Sequence, residues 1–318
     1  MRWAVRRTAE LIARQTQARF SSPERIHIKA NLFHGYEIRP LLTALRRQQQ
    51  QQRLRLDAVM LGDSFLTTHL GYPSTVLDGE ELQEFFLRVQ LSLLVEIRRE
   101  LDRTALSEEV YLIADMPHGS ARHVDLGLQN AQRVLAHGAD AIKIEVTTLD
   151  HLSLIEELSG GGVPVLAHLG YSPQAGGAKF VARTIDEARK LFRLAQQCRN
   201  AGAYALVLEG VATPALAALA AHNDGGLPVY AIFSGHAPYA GQSVNVWDAL
   251  YRPPFPARYF PPTASLDVST FPASYTDAAI VEHCRLLLEL LGTSYPIFRG
   301  ADMSGSEAAE LMQSNPWC

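Results

Sequence analysis

Short apolar segments alternate with longer amphipathic segments along most of the chain. Five of the apolar segments run directly into an acidic or imidazole side chain, and these are 59–62 before Asp63, 111–114 before Asp115, 141–144 before Glu145, 163–167 before His168 and 205–208 before Glu209. Aliphatic runs this short, bounded by turn residues, are typical of buried parallel strands. Because segments of helical period lie between them, the pattern predicts an α/β fold built from repeated strand–helix units.

The repetition of these units predicts a (β/α)8 TIM barrel, for which a chain of 318 residues is long enough. The carboxyl ends of parallel strands gather at one face, where such barrels have their active sites. We therefore expect Asp63, Asp115, Glu145, His168 and Glu209 to converge at that face. Crowding acids and an imidazole into one pocket costs solvation and repulsion energy, which a purely structural role does not explain.

A single barrel domain is predicted for residues 1–318, with an N-terminal helix in 1–24 and a C-terminal helical extension in 251–318. The extension begins with a proline-rich segment at 252–272, which excludes regular secondary structure there. Other predicted elements show strand or helix periodicity, and they are strands at 26–31 and 228–233, helices at 36–52, 82–97, 130–136 and 186–200, and a final helix at 276–291. The polar, glycine-rich loop at 171–183 is long enough to be a lid or a binding loop.

Composition narrows the possible partners. A hydrophobic content of 47% supports a large core, and a formal net charge of −4 with a pI near 6.3 indicates no basic surface for nucleic acid. We therefore expect a small-molecule partner and no nucleic acid. Cys198, Cys284 and Cys318 are odd in number and lack metal-ligand spacing, so we predict neither a disulfide framework nor a zinc site, in a reducing compartment.

The first twenty residues have two interpretations. Their basic residues outnumber the acidic Glu10, as in a mitochondrial transit peptide, and these are Arg2, Arg6, Arg7, Arg14 and Arg19. The alternative is an ordinary N-terminal helix with Leu11 and Ile12 on its buried side and its arginines in water. We prefer the helix, since arginine and alanine are frequent throughout the chain, and we expect a cytoplasmic protein. No apolar run is long enough to cross a membrane.

Asp63 and Asp115 have the character of ligands to a hard cation. Two carboxylates on neighbouring strands, with room for substrate and water oxygens, suit Mg²⁺ better than a softer metal. Each could instead cap the helix that follows its strand, and Ser64 could take that role in place of Asp63. The presence of Glu145 near both carboxylates favours the metal site.

Three further residues are candidates for proton transfer and charge stabilisation. Lys143 and Glu145 are alternate residues of one predicted strand, so both side chains point toward the barrel interior. They could serve charge compensation alone, or the ammonium could stabilise a developing oxyanion. His168 could be an ordinary core histidine. Glu209 ends an otherwise apolar strand, where burial raises proton affinity, and it is our candidate general base; the alternative is a surface carboxylate just past the strand.

Several short motifs surround these residues. In chain order they are LGDS at 61–64, LGY at 70–72 with ST at 74–75, ADMP at 114–117 with GS at 119–120, NA at 130–131, GADA at 138–141 with Lys143 and Glu145, HLGYSPQ at 168–174 with GG at 176–177 and Lys179, and LEGV at 208–211. Each motif is weak alone, but their order and spacing are specific. Together they resemble the ketopantoate hydroxymethyltransferase family, of the phosphoenolpyruvate mutase and isocitrate lyase superfamily.

The resemblance implies a role for each site residue and a reaction. It implies that Asp63 and Asp115 bind Mg²⁺ and that Glu145 lies in the water shell of the metal. It implies that Ser64 and Lys143 contact a 2-oxo acid. His168 would line the pocket, and Glu209 would remove the proton alpha to the carbonyl. The enolate would then attack the one-carbon unit of 5,10-methylenetetrahydrofolate, converting 3-methyl-2-oxobutanoate to 2-dehydropantoate. The resemblance also implies a homo-oligomer, which is a decamer in the family.

Four segments depart from the pattern that is usual in the family. They are 31–34 in place of Thr-Ala-Tyr-Asp, 146–148 and 232–236 in place of glycine-rich segments, and 240–242 in place of Asp-Gly-Gln. The predicted metal and proton chemistry is retained while the surrounding pocket is remodelled. The acceptor or donor could therefore differ, as in a carbon–carbon lyase or an aldol-type enzyme. A catalytically silent paralogue is the other alternative, against which the retention of all the site residues argues.

Overall fold

Eight parallel strands form a closed barrel in which neighbours in sequence are neighbours in space. The computed structural model describes residues 5–20, 25–48, 54–68, 70–176, 180–221, 226–246 and 302–317, and positions 281, 282, 284, 285 and 288. The strands are β1 (Ile26–Leu32), β2 (Leu54–Leu61), β3 (Tyr111–Asp115), β4 (Ala141–Glu145), β5 (Val165–Gly170), β6 (Ala205–Glu209), β7 (Val229–Ile232) and β8 (Ala240–Asn245). β8 pairs with β1 and closes the ring, which confirms the predicted (β/α)8 barrel.

Helices cover the outside of the barrel. They are α1 (Ala9–Arg19), α2 (Ile38–Gln48), α3 (Phe65–Thr68), α4 (Glu80–Asp102), α5 (Val124–Ala136), α6 (Leu149–Gly160), α7 (Ile185–Asn200), α8 (Thr213–Ala221) and α9 (Gly305–Met312), with a 3₁₀ turn at Gly35–Glu37 before α2. Threonine hydroxyls cap three of them, Thr8 at α1, Thr148 at α6 and Thr184 at α7. Apart from α1, their apolar faces pack against the strands in one continuous outer core.

Side chains alternate along each strand between this outer core and the barrel interior. Near the amino ends of the strands the interior is filled by apolar side chains such as Ala58, Ile113 and Leu166. Near the carboxyl ends most of the interior positions are polar or charged and surround a pocket. The barrel is therefore closed by apolar packing at one end and open to polar chemistry at the other.

α1 lies beneath the amino ends of the strands. Ile12 is fully buried, as predicted, whereas Leu11 is only half-buried. Phe20, just after the helix, stacks on His27 of β1 with ring centroids 4.5 Å apart. Ile12 and Phe20 belong to the same buried cluster as the apolar residues of the barrel interior, so α1 completes the core at this end.

The prediction that the N-terminal arginines lie in water is wrong for Arg7 and Arg19. Their guanidinium groups lie over the Tyr111 ring, 5.0 and 4.9 Å from its centroid. Arg19 also pairs with the buried carboxylate of Asp57 at 3.3 Å. The cause is the negative charge and the aromatic face that the strands present at their amino ends, both of which attract guanidinium groups.

The predicted strands at 26–31 and 228–233 are confirmed to within one residue at each end. The C-terminal prediction is wrong in one respect. The described positions within 276–291 are helical, but this is not the last helix, because α9 follows it. The chain after α9 is held on the barrel by Trp317, whose Nε1 donates to the Leu219 carbonyl at 3.1 Å. The segments 49–52 and 252–272 lie outside the described residues.

No helix within the described part of the chain is long and apolar enough to cross a membrane.

Candidate active site

The predicted site residues converge at the carboxyl ends of the strands, around one pocket of about 430 Å³ including its open mouth. The residues from the sequence prediction that line it are Asp63, Ser64, Asp115, Lys143, Glu145 and Glu209. His168 is not on the pocket wall; it lies behind the wall, between Glu145 and Glu209. The expected convergence is thus confirmed, and the position of His168 indicates action through its neighbours rather than direct contact with a ligand.

Asp63 and Asp115 lie side by side at the ends of β2 and β3. The Asp63 backbone N–H points to Oδ2 of Asp115 at 3.5 Å. Burial raises the pKa of both carboxyls, and the charge of Asp115 raises the pKa of Asp63 further, well above its usual value. Two crowded, buried carboxylates of this kind are stabilised by a cation between or beside them.

The donor atoms at this position fit a hard divalent cation. Oδ1 of Asp115 and Oε1 of Glu145 are buried and have no hydrogen-bond partner. Oxygen-only ligands are what Mg²⁺ prefers, and this ion commonly takes only one or two carboxylates from the protein. Among the residues that the structure describes, no three His, Cys, Asp or Glu side chains are arranged to hold a metal by themselves. A metal here would therefore complete its coordination with substrate and water oxygens.

The alternative role of Asp115 as a helix cap is wrong. The helix after β3 is α5, and its cap is His123, whose side chain accepts from the backbone of Leu126. The Asp115 carboxylate instead faces the barrel interior, where Lys143 Nζ donates to its Oδ2 at 2.6 Å. Its position is explained by the site and not by helix termination.

Lys143 is a buried ammonium among carboxylates. Besides its bond to Asp115, its Nζ lies 3.7 Å from Oε1 of Glu145, which confirms that both side chains point inward from β4. Burial alone lowers the pKa of Lys143, but the charges of Asp115, Glu145 and Asp63 outweigh it and raise the pKa above its usual value. The side chain therefore remains protonated and provides a fixed positive charge at the pocket wall.

Glu145 organises the loop that follows β5. Ser172 Oγ donates to Oε2 of Glu145 at 2.5 Å, and the Gln174 backbone N–H donates to the same atom at 3.1 Å. Burial raises the pKa of Glu145, but the Lys143 charge, His168 and the Ser172 hydroxyl outweigh it and lower the pKa to about 2. The Gln174 side chain contacts Asp63, and its Nε2 donates to Oδ2 of Asp63 at 2.9 Å.

The predicted binding loop at 171–183 thus contributes Ser172 and Gln174 to the site. Both lie in the motif at 168–174, but their side chains were not among the predicted site residues. Strand β5 continues to Gly170, two residues beyond His168. Gly170 has φ +100°, and a Cβ there would lie 2.3 Å from the Glu209 carbonyl oxygen, so only glycine permits the loop to leave so close to β6.

Glu209 is a buried carboxyl with a free oxygen. It is 6% exposed, so the alternative of a surface carboxylate is wrong. Burial raises the pKa of Glu209 above its usual value despite the opposing effect of His168. Its Oε1 has no hydrogen-bond partner among the described residues. A carboxylate with raised proton affinity and an unoccupied oxygen at a pocket wall has the properties of a general base.

Four polar pocket residues were not predicted as site residues: Lys29 and Asn31 of β1, and Ser243 and Asn245 of β8. Lys29 is fully buried, which the sequence signalled only through a lysine within a predicted strand. The segment that begins at Asn31 departs from the family pattern, and that departure alone predicted no structural consequence. The strand alternation places all four side chains inside the barrel.

A closed parallel barrel with acids, a lysine and a metal-compatible carboxylate pair at the carboxyl ends of its strands is the architecture of a (β/α)8-barrel enzyme. The family model for ketopantoate hydroxymethyltransferase matches residues 46–260 of the chain. The protein therefore belongs to the ketopantoate hydroxymethyltransferase family, as the sequence motifs predicted. The match includes every site residue proposed from the sequence.

Curated relatives agree with this assignment. The 3-methyl-2-oxobutanoate hydroxymethyltransferase of Pyrococcus abyssi is 34% identical over 213 residues, which are 64% of this chain and 69% of the relative. The enzyme of the same name from Thermus thermophilus is 33% identical over 215 residues, 64% of this chain and 76% of the relative. A solved structure of 2,3-dimethylmalate lyase is a distant likeness, with 14% identity and a TM-score of 0.45 over 74% of this chain and 78% of that one.

Proposed function

We propose that this protein transfers a hydroxymethyl group from 5,10-methylenetetrahydrofolate to a 2-oxo acid through an enolate, with the help of Mg²⁺. The observation that carries the proposal is the buried Glu209 carboxyl, with its raised pKa, in the same pocket as Lys143, Asp63 and Asp115. In the relatives the acid is 3-methyl-2-oxobutanoate, as their name states, and it is the first acid to test.

Asp63 and Asp115 would hold the metal, with Glu145 in its water shell. When bound, Mg²⁺ supplies a Lewis acid that polarises the 2-oxo group and acidifies the neighbouring C–H bond. The buried oxygens of Asp115 and Glu145 that lack hydrogen-bond partners support this assignment. The Gln174 amide donates to the Asp63 carboxylate and holds it in place.

Lys143 would stabilise the negative charge that develops on the substrate oxygen. Its ammonium is preorganised by Asp115 and Glu145, so no reorientation is needed when the charge appears. Ser64 follows directly after Asp63 on the pocket wall and would contact the carboxylate end of the acid. These side chains would hold the 2-oxo acid with C3, the carbon next to its 2-oxo group, toward Glu209 at the end of β6.

Glu209 would accept the proton from the carbon alpha to the carbonyl, at its free Oε1. The electron pair of the C–H bond becomes part of the enolate, and the enolate carbon forms a bond to the one-carbon unit of the donor. The two bonds from that carbon to N5 and N10 of the folate break, and water supplies the hydroxyl group. The two nitrogens take up the proton from Glu209 and one proton from water as tetrahydrofolate leaves. His168, beside Glu209 at 3.1 Å, orients the carboxyl and compensates its charge.

A second candidate is a carbon–carbon lyase or aldol-type reaction on a different 2-oxo acid, which would use the same enolate chemistry. The polar side chains on β1 and β8 favour it, because they make part of the pocket unlike a site for an apolar acid. Both candidates pass through the enolate of a 2-oxo acid, which forms by proton removal in hydroxymethyl transfer and takes up a proton after C–C cleavage in a lyase. One exchange assay therefore tests the shared step first.

The test is hydrogen–deuterium exchange at C3, the carbon next to the 2-oxo group, in a panel of 2-oxo acids. The acids are incubated with the protein in deuterated water with Mg²⁺, and NMR measures the loss of the C3 proton signal. We expect Mg²⁺-dependent exchange with at least one acid. Product analysis with and without 5,10-methylenetetrahydrofolate then separates hydroxymethyl transfer from a lyase reaction. Absence of exchange with every acid, including 3-methyl-2-oxobutanoate, would contradict both candidates.

A further inference from the structure

Lys29 is a second buried cation in the pocket, and the proposed mechanism does not use it. It is 0% exposed, and its Nζ donates to Oδ1 of Asn31 at 2.5 Å and to Sδ of Met60 at 3.3 Å. An ammonium has three donors, and a thioether is a weak acceptor. Among the described residues no carboxylate lies within 4.0 Å of Nζ, in contrast to Lys143 with its two carboxylates.

Lysine is rare in this chain, yet Lys29 and Lys143 are both buried. There are only four lysines in the 318 residues, at positions 29, 143, 179 and 190, and arginine supplies the other basic charges. Two of the four line the pocket. General surface charge is therefore not the reason for the buried lysine at position 29.

Ser243 and Asn245 hold the Asn31 side chain in the orientation that serves Lys29. Its Nδ2 donates to Oγ of Ser243 at 3.2 Å and to Oδ1 of Asn245 at 2.8 Å, which turns Oδ1 toward the ammonium. Asn31 and Asn245 are paired residues of β1 and β8, so the sheet register fixes this arrangement. We call Lys29, Asn31, Ser243 and Asn245 the β1–β8 patch.

The β1–β8 patch is a poor surface for an apolar side chain. An isopropyl group against it would leave the buried Lys29 ammonium without a charged partner, which is costly. Burial and the nearby Lys143 charge also lower the pKa of Lys29 to about 7, although Asp115 and Glu209 oppose the shift. The charge of Lys29 is thus only partly compensated by the protein, and an anionic group of a ligand would complete the compensation.

We propose that the β1–β8 patch binds a second carboxylate of the acceptor, so that the preferred substrate is a 2-oxo dicarboxylic acid. The inference rests on the proposed function, because the 2-oxo end of that acid is held by Asp63, Asp115 and Lys143. β1 and β4 are separated by two strands along one side of the ring. Lys29 and Lys143 therefore reach the pocket from different sides, as an acid with a carboxylate at each end requires.

The experiment compares two acids of equal length that differ only at the far end: 2-oxoglutarate, with a second carboxylate, and 2-oxopentanoate, with a methyl group. Deuterium exchange at C3 of each acid is measured with Mg²⁺ for the wild type, Lys29→Met and Lys29→Gln. Lys29→Gln keeps a polar side chain without charge and serves if the apolar variant does not fold. Lys190→Met, on the exposed face of α7, is the matched control.

We expect the wild type to prefer 2-oxoglutarate. The ratio of kcat/KM for 2-oxoglutarate to that for 2-oxopentanoate should fall roughly 10- to 100-fold in both Lys29 variants, as for a lost charged hydrogen bond, and stay constant in Lys190→Met. An equal loss on both acids would overturn the inference, because it would mean that Lys29 only balances the carboxylates of the pocket. A wild type without preference for 2-oxoglutarate would overturn it as well.

The two proposals can fail separately. Exchange with 2-oxopentanoate or 3-methyl-2-oxobutanoate, without preference for 2-oxoglutarate, would reject the dicarboxylate and leave the proposed function standing. If no acid exchanges, the proposed function fails, and calorimetric titration with 2-oxoglutarate in the presence of Mg²⁺ tests the patch directly. Binding weakened by Lys29→Gln would support it, and equal binding by wild type and variant would reject it.

Discussion

Nε2 of His168 lies 3.1 Å from Oε2 of Glu209, and Nδ1 of the same ring lies 3.5 Å from Oε1 of Glu145. Burial and the Lys143 charge lower the pKa of His168, but the two carboxylates outweigh them and the net shift is upward. The imidazole therefore links the candidate base with the carboxylate that organises the loop after β5. The protonation of Glu209 is coupled to that of His168, and Glu209, which lines the pocket, is the member of the pair positioned to exchange a proton with substrate.

Glu209→Gln should separate proton removal from binding. Glutamine keeps the shape and the reach of glutamate but cannot accept a proton. We expect the rate of deuterium exchange at C3 of the oxo acid to fall by roughly 10²–10⁴-fold, the usual effect of a lost general base, while Mg²⁺ and the oxo acid still bind. Exchange by NMR and binding by calorimetry are the measurements. If Glu209→Gln exchanges as fast as the wild type, the base lies elsewhere, and His168→Gln is the next variant to test.

Asp63→Asn and Asp115→Asn should weaken Mg²⁺ binding. Loss of a group that only supports a ligand commonly costs about 10–100-fold in metal affinity, so loss of a direct ligand should cost at least as much. The apolar core is untouched, and circular dichroism should show an unchanged fold. Calorimetric titration with Mg²⁺ in the presence of a 2-oxo acid checks the prediction. Unchanged affinity for both ligands in both variants would remove the metal assignment.

Lys143→Met distinguishes oxyanion stabilisation from charge compensation. If the ammonium contacts the substrate oxygen, KM should rise and kcat for exchange should fall together, the latter by roughly 10²–10³-fold. Removing one partner of a buried pair also lowers stability, by about 3–5 kcal/mol, so assays belong well below the unfolding temperature. A variant with lower thermal stability but wild-type KM and kcat would indicate that Lys143 serves compensation alone.

As the pH is lowered, proton exchange should be lost at a higher pH than it would be with an ordinary glutamate as the base. Burial raises the pKa of Glu209 from its usual value of 4.5, and only the ionised carboxylate can accept a proton. The rate should therefore fall as the pH is lowered through a midpoint above 4.5. A pH profile of deuterium exchange at C3 of the oxo acid, recorded at saturating Mg²⁺, measures this midpoint. A midpoint at or below 4.5 would contradict the assignment of the buried Glu209 carboxylate as the base.

Phe233→Gly should widen the acceptor pocket. Phe233 follows β7 on the pocket wall and has φ +53°, a conformation that favours glycine, and the family usually has a glycine-rich segment here. We expect the rate on branched 3-methyl-2-oxobutanoate to rise relative to that on 2-oxobutanoate. Loss of a buried aromatic side chain should at the same time lower the thermal midpoint. An unchanged ratio of the two rates would show that the substitutions at 232–236 are neutral for the acceptor.

The recurring pattern of apolar runs was sufficient to predict the barrel and the meeting of its acidic residues. Asp115, Lys143 and Glu145 occupy inward positions because strand alternation and parallel pairing leave no other arrangement. Gln174 shows where such reasoning stops. Its contact with Asp63 joins residues 111 positions apart through a loop whose path depends on Gly170 and Glu145. No local periodicity specifies that path.

The sequence by itself determined the fold class, the face that carries the site and the identity of its acids, because these follow from periodicity, strand direction and residue chemistry. Only the tertiary structure decided how the charges are balanced. Lys29 and Lys143 are both lysines at inward strand positions, yet Lys143 lies against two carboxylates and Lys29 against none within 4.0 Å among the described residues. The physical reason is that desolvation and Coulomb energy depend on distances across the barrel, which are set when the eight strands close into a ring.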